Sequence, residues 1–234
     1  MIFNALRRYV NLIFFLLFLA CTQPGTDDVM TTNPTANANY LALGDSYTIG
    51  ESVPEADRWS VQLAGLLRKE GLNITDPDII ARTGWTTSEL SDAIKQSGNQ
   101  KTYQLVSLLI GVNNQFRGQS LETYRTEFRA LLQTAIRFAN EKPKRVFVLS
   151  IPDWGVSPYA ANRNRQQIAK EIDAFNDVAQ EECKKAGIAY VDITPTSRTA
   201  ASDPSQIAED NLHFSGKQYR QWAEKAAPVV KSLL

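Results

Sequence analysis

Five short runs of this chain are apolar at nearly every position rather than at every second one: Tyr40–Leu43, Ile79–Ala81, Leu105–Ile110, Val146–Leu149 and Ile188–Val191. A strand with one face in water alternates polar and apolar residues, so continuous runs predict strands covered on both faces, as in parallel sheets. Parallel neighbours need long crossovers, and the segments between the runs supply them. Helices are predicted over Arg58–Glu70, Thr87–Gln96, Ser120–Asn140, Asn164–Ala186 and from Ser215 onward. In the third, Tyr124, Phe128, Leu131, Leu132, Ala135 and Ile136 recur at three- and four-residue steps and form one apolar stripe. Strands alternating with helices give an α/β three-layer sandwich, α/β/α, around a five-stranded parallel sheet. No repeat and no second boundary interrupts residues 39–234, which read as one domain.

The first 20 residues stand apart. Arg7 and Arg8 precede an apolar run, Leu12 to Ala20, that is too short to span a bilayer and has the layout of an export signal. It ends in Phe18-Leu19-Ala20-Cys21, which resembles the lipobox of bacterial lipoproteins, with Phe18 where Leu is usual. That resemblance implies a lipid anchor on Cys21 and a place in the bacterial cell envelope, at the periplasm or outer membrane. Residues 21–38 are rich in Thr, Asn, Pro and Asp and hold too little apolar surface to order themselves, so they read as a flexible tether.

Composition removes several function classes. With 25 basic and 25 acidic side chains, no net field draws the chain to nucleic acid. Two cysteines and one histidine cannot furnish a zinc cage or a disulfide framework. No phosphate-binding glycine motif follows the first strand, and no cofactor or metal is expected. Cys183 continues the stripe Ile172, Phe175, Ala179 and reads as a core residue.

In open α/β sheets, sites form at the carboxyl ends of the strands. Four such places carry polar groups: Gly44-Asp45-Ser46, Thr83-Gly84-Trp85-Thr86, Gly111-Val112-Asn113-Asn114 and Asp210-Asn211-Leu212-His213. Gly44-Asp45-Ser46 fits a capped strand-to-helix turn. It equally fits an exposed serine nucleophile beside helical N–H groups, provided that a base reaches it. Gly84, lacking a Cβ, can bring its amide close to a substrate, and the Asn113 side chain is a neutral donor; both also fit ordinary loop roles. His213 is the only histidine and so the only imidazole base for Ser–His chemistry. Asp210, three residues earlier, could orient its ring or cap the helix that begins near Ser215.

Taken in order, these four blocks resemble the SGNH hydrolases, the GDSL esterase/lipase family, across nearly all of residues 39–234. The resemblance implies a flavodoxin-like fold and a serine esterase that needs no metal. It implies Ser46 as nucleophile, His213 as base and Asp210 as its orienting acid. It also implies an oxyanion hole built from Ser46, Gly84 and Asn113. The chain departs from the family pattern at Asn114, where Asp is usual, and at Phe214, where Pro is frequent. Trp85, Phe116, Trp154 and Tyr159 are candidates for substrate contact, with packing roles as the alternative. Small acyl esters, lipids and acylated glycans are the expected ester substrates. A non-catalytic envelope binding lipoprotein on the same fold is the competing reading, and a flavin or nucleotide binder is disfavoured by the missing phosphate loop.

Overall fold

The computed structural model describes residues 37–234. The five apolar runs form β1 (Tyr40–Gly44), β2 (Asp78–Ala81), β3 (Leu105–Leu109), β4 (Val146–Leu149) and β5 (Ala189–Val191). They make one sheet in the order β2-β1-β3-β4-β5, with every neighbouring pair parallel. All residues of β1, β3 and β4 are buried, as their unbroken hydrophobicity predicts, while the edge strands β2 and β5 are only partly covered.

The helices are α1 (Ser46–Ile49), α2 (Trp59–Lys69), α3 (Thr87–Ser97), α4 (Val112–Phe116), α5 (Leu121–Phe138), α6 (Arg165–Ala186), α7 (Thr194–Arg198) and α8 (Gly216–Lys231). The long ones match the predicted segments to within a few residues. The stripe of α5 is buried throughout, and the Ser120 side chain caps the helix by accepting from Thr123 N. Thr86 and Glu89 form a reciprocal capping box at the start of α3. Helix α2 packs along α8, and α5 packs against α3 and α6, so helices flank the sheet in two layers. Cys183 is buried on α6, as the stripe predicts.

This topology sets where a site can form. From β1 the chain crosses to β2 on one side, and β3 lies on the other, so the strand order reverses between β1 and β3. Crevices open at such reversals, outside the carboxyl ends of the strands. Gly44 ends β1 level with Ala81 of β2 and Leu109 of β3. A Cβ there would stand 2.5 Å from the Leu109 carbonyl oxygen and 2.2 Å from Thr48 Oγ1, so only glycine lets the chain turn into α1 at this point.

Candidate active site

Asp45 caps α1, its Oδ1 accepting from Tyr47 N at 3.1 Å. Ser46 follows as the first helical residue, where the backbone N–H has no acceptor within the helix. Ser46 is 5% exposed. The strand-to-helix turn predicts an exposed serine. Instead it lies in the floor of a cleft of ≈ 250 Å³, because the loops after the other strands rise around it.

His213 lines the same cleft, as do Gly84 and Asn113. Its Nδ1 lies 2.5 Å from Asp210 Oδ2. Asp210 Oδ1 accepts from the backbone N–H groups of Leu212 and His213, both at 2.9 Å, which folds the loop so that carboxylate and ring face each other. Asn211 completes the turn at φ +62°, a conformation Asn tolerates. Asp210 does not cap α8, whose N-cap position is Ser215. Burial pushes the Asp210 carboxyl up, but the His213 ring, the two amides and Ser52 together hold it down at about 2.

Nothing in the sequence pattern singles out Ser52. Its hydroxyl donates to Asp210 Oδ2 at 2.7 Å across 158 positions of chain, from a backbone at φ +64°. The position after the histidine, Phe214, is fully buried, with ring centroids 5.2 Å from Trp222 and 5.8 Å from Tyr47. Aromatic packing therefore fixes the chain where a proline ring often stands. Tyr47 also meets the His213 ring edge-on, at 5.7 Å.

Gly84 adopts φ +85°, which favours glycine, and Arg117 Nη2 donates to its carbonyl at 2.6 Å. The other side of that guanidinium pairs with Glu89 at 3.2 Å. Arg117 thus ties the Gly84 turn to the capping box of α3. Asn113 Nδ2 donates to the Trp85 carbonyl at 2.9 Å, which spends one of its two N–H bonds and leaves one for the cleft. Asn114 is fully buried and turned away from the cleft. It accepts from Thr87 N at 3.1 Å and donates to Thr87 Oγ1 at 2.6 Å and Gln119 Oε1 at 2.7 Å, which clamps α4 to α3.

Phe116, Trp154 and Tyr159 form an aromatic side of the cleft. Trp154 is buried, its Nε1 donating to Gln115 Oε1 at 2.8 Å, whereas Phe116 and Tyr159 are exposed. Trp85 is not among the lining residues; its ring packs on the core and its carbonyl positions Asn113. Cys21 and the predicted signal lie outside the described residues.

The cleft therefore gathers a hydroxyl, an imidazole oriented by a carboxylate, and neutral donors, the constituents of acyl-transfer chemistry. Residues 42–221 match the GDSL-like lipase/acylhydrolase family. The chain belongs to this family. No protein of curated function matches the sequence. Among solved structures, the GDSL-type fold here is similar to that of TesA, at 18% identity over 84% of this chain and 99% of that one, with a TM-score of 0.66. It is similar also to the esterase EstA from Pseudoalteromonas, in a structure inhibited by monoethylphosphonate, at 15% identity over 84% and 98% with a TM-score of 0.64. An acetyl xylan esterase aligns at 16% identity over 82% and 99%, with a TM-score of 0.64. At these identities the likeness establishes the α/β fold.

Proposed function

We propose that this GDSL-type hydrolase cleaves carboxylic esters through an acyl-enzyme on Ser46. The observation that carries the reading is that the only histidine of the chain, held at 2.5 Å by Asp210, lines one cleft with Ser46, Gly84 and Asn113. His213 takes the Ser46 proton as the hydroxyl oxygen attacks the ester carbonyl, and Asp210 stabilises the imidazolium that forms. The Ser46 and Gly84 amides and the free N–H of Asn113 meet the oxyanion. His213 then returns the proton to the leaving alcohol. Water, deprotonated by His213, releases the acid and restores Ser46.

The aromatic side of the cleft suits a short acyl chain or the face of a sugar ring, and a similar fold in an acetyl xylan esterase supports acylated glycans as one substrate class. Ser46→Ala and His213→Ala are each expected to lower ester hydrolysis by about three orders of magnitude or more with folding retained. Activity persisting in either variant would remove that residue from the mechanism.

We also propose that the protein is exported and held in the envelope by lipid on Cys21. The sequence before Asn39 supports this, and a mature N-terminus at Cys21 bearing a lipid mass is the expected result. An unmodified N-terminus elsewhere would refute it.

A further inference from the structure

Arg163 is an exposed residue that packs on the aromatic side of the cleft without itself being one of the residues that line it. Its guanidinium carbon lies 5.3 Å from the Phe116 ring centroid, 5.4 Å from that of Trp154 and 5.0 Å from that of Tyr159. All three rings line the cleft that contains Ser46 and His213. Among the described residues no carboxylate pairs with Arg163; Arg82, Arg137, Arg145 and Arg165 also lack one, but none of these lies on the rings of the cleft. Among the described residues its side chain makes one hydrogen bond, Nη2 donating to the Tyr159 hydroxyl at 3.3 Å.

Ring faces take up a guanidinium without using its in-plane N–H groups, of which here only one is given to Tyr159 among the described residues. Five such donors in a fixed fork match the two oxygens of a carboxylate. The supporting loop is fixed to the reacting one, since Tyr159 N donates to the Asn211 carbonyl at 2.9 Å, two residues before His213. A cation stacked on cleft-lining rings, with one of its five N–H donors given to Tyr159 and four left, can receive an anion at the exposed rim of the cleft.

We infer that Arg163 selects esters whose acyl or alcohol half carries a carboxylate, which it binds while Phe116, Trp154 and Tyr159 hold the guanidinium in place. This rests on the esterase reading above and specifies its substrate class. The inference is tested with matched ester pairs, one for each half. Mono(4-nitrophenyl) adipate is compared with 4-nitrophenyl hexanoate for the acyl side, and 4-acetoxybenzoate with phenyl acetate for the alcohol side.

In the wild type, kcat/KM should favour the anionic member of one pair by about tenfold at low ionic strength, and the preference should shrink in about 0.5 M salt. The ratio should fall to about one in Arg163→Gln and be partly kept in Arg163→Lys, which retains the charge but not the fork. The pair that shows the preference identifies which half carries the anion. No preference in either pair, or one that survives Arg163→Gln, overturns the inference. The neutral esters in Ser46→Ala test the esterase reading separately: loss of their hydrolysis with anion ratios near one would sink the Arg163 inference alone. Binding provides a readout without turnover. Monomethyl adipate should change indole emission in Ser46→Ala but not in the Ser46→Ala/Arg163→Gln double variant, and an equal response in both also overturns it.

Discussion

Replacing Asp45 with Asn should shift the stability of this protein in a strongly pH-dependent way. Asp45 is 1% exposed; its Oδ1 accepts from Tyr47 N, and no group among the described residues pairs with Oδ2. An ionised carboxylate with one buried, unpaired oxygen is costly. Burial therefore pushes the acid up from 3.8 to about 7, against the opposing bond from the Tyr47 amide. The sign follows from proton occupancy. Between 3.8 and about 7 the folded chain keeps this proton while the unfolded chain has lost it, so the Asp45 contribution to stability falls across that interval and is level above it. At about 1.4 kcal/mol per pH unit the interval amounts to about 4 kcal/mol, and solvent relaxation around the charge brings this to about 2–4 kcal/mol. Asn keeps the Oδ1 acceptor and cannot ionise. Its additional N–H groups cost about 1–2 kcal/mol if unpaired, but equally at every pH. Urea unfolding of both proteins at pH 4 and pH 8 isolates the electrostatic part. The variant should improve relative to wild type by about 2–4 kcal/mol on going from the lower to the higher pH. A wild-type-to-variant difference that is the same at both pH values would refute the reasoning.

The two asparagines after β3 should separate cleanly. Asn113→Ala is expected to lower kcat by about 10²–10³ with little change in stability, because it removes a donor to charge that develops only in the transition state. Asn114→Ala should instead cost about 1–3 kcal/mol in unfolding experiments, since it leaves the Thr87 amide and Gln119 unpaired. A reversed pattern would assign the donor to the other asparagine. Ser52→Gly should reduce kcat about three- to tenfold by freeing Asp210, with stability held or improved because glycine accepts φ +64° readily. Unchanged kcat would show that Ser52 does not position the acid. Gly111→Ala should lower stability by about 2–4 kcal/mol, read as a drop in Tm, because its Cβ would meet Ile151 Cδ1 and the Tyr124 ring at 2.8 Å from a backbone at φ +128°. A wild-type Tm would contradict that geometry.

How much of this was legible in the sequence depended on how local each signal is. Strands β1, β3 and β4 were readable because burial on both faces leaves no polar alternation, and α5 because its stripe runs for more than three turns. The short helices α4 and α7 are not announced, since five residues carry no periodicity to detect, and α1 is legible only through the capped turn at Gly44-Asp45-Ser46. Their positions at strand ends matter more than their length: α1 begins with Ser46, and α4 holds Asn113 toward the cleft and Asn114 away from it. Asp210 and His213 stand close in sequence, so their pairing could be anticipated. Ser52 and Arg117 act across long stretches of chain, through a single hydroxyl and a single guanidinium, and no spacing announces either. Trp85 adds a contribution of the backbone. Adjacency to Gly84 makes its ring a candidate for substrate contact or for packing, and no side-chain pattern announces that its backbone carbonyl accepts from Asn113.

The most direct test of the central claim is covalent labelling with a fluorophosphonate, which reacts only with a serine made nucleophilic by a nearby base and an oxyanion hole. Intact mass should show one adduct per chain, and peptide mapping should place it on Ser46. Labelling should vanish in Ser46→Ala and slow by about 10²-fold or more in His213→Ala. An adduct on any other residue, or labelling of the folded protein that does not depend on His213, would contradict the assignment of Ser46 and His213 as nucleophile and base.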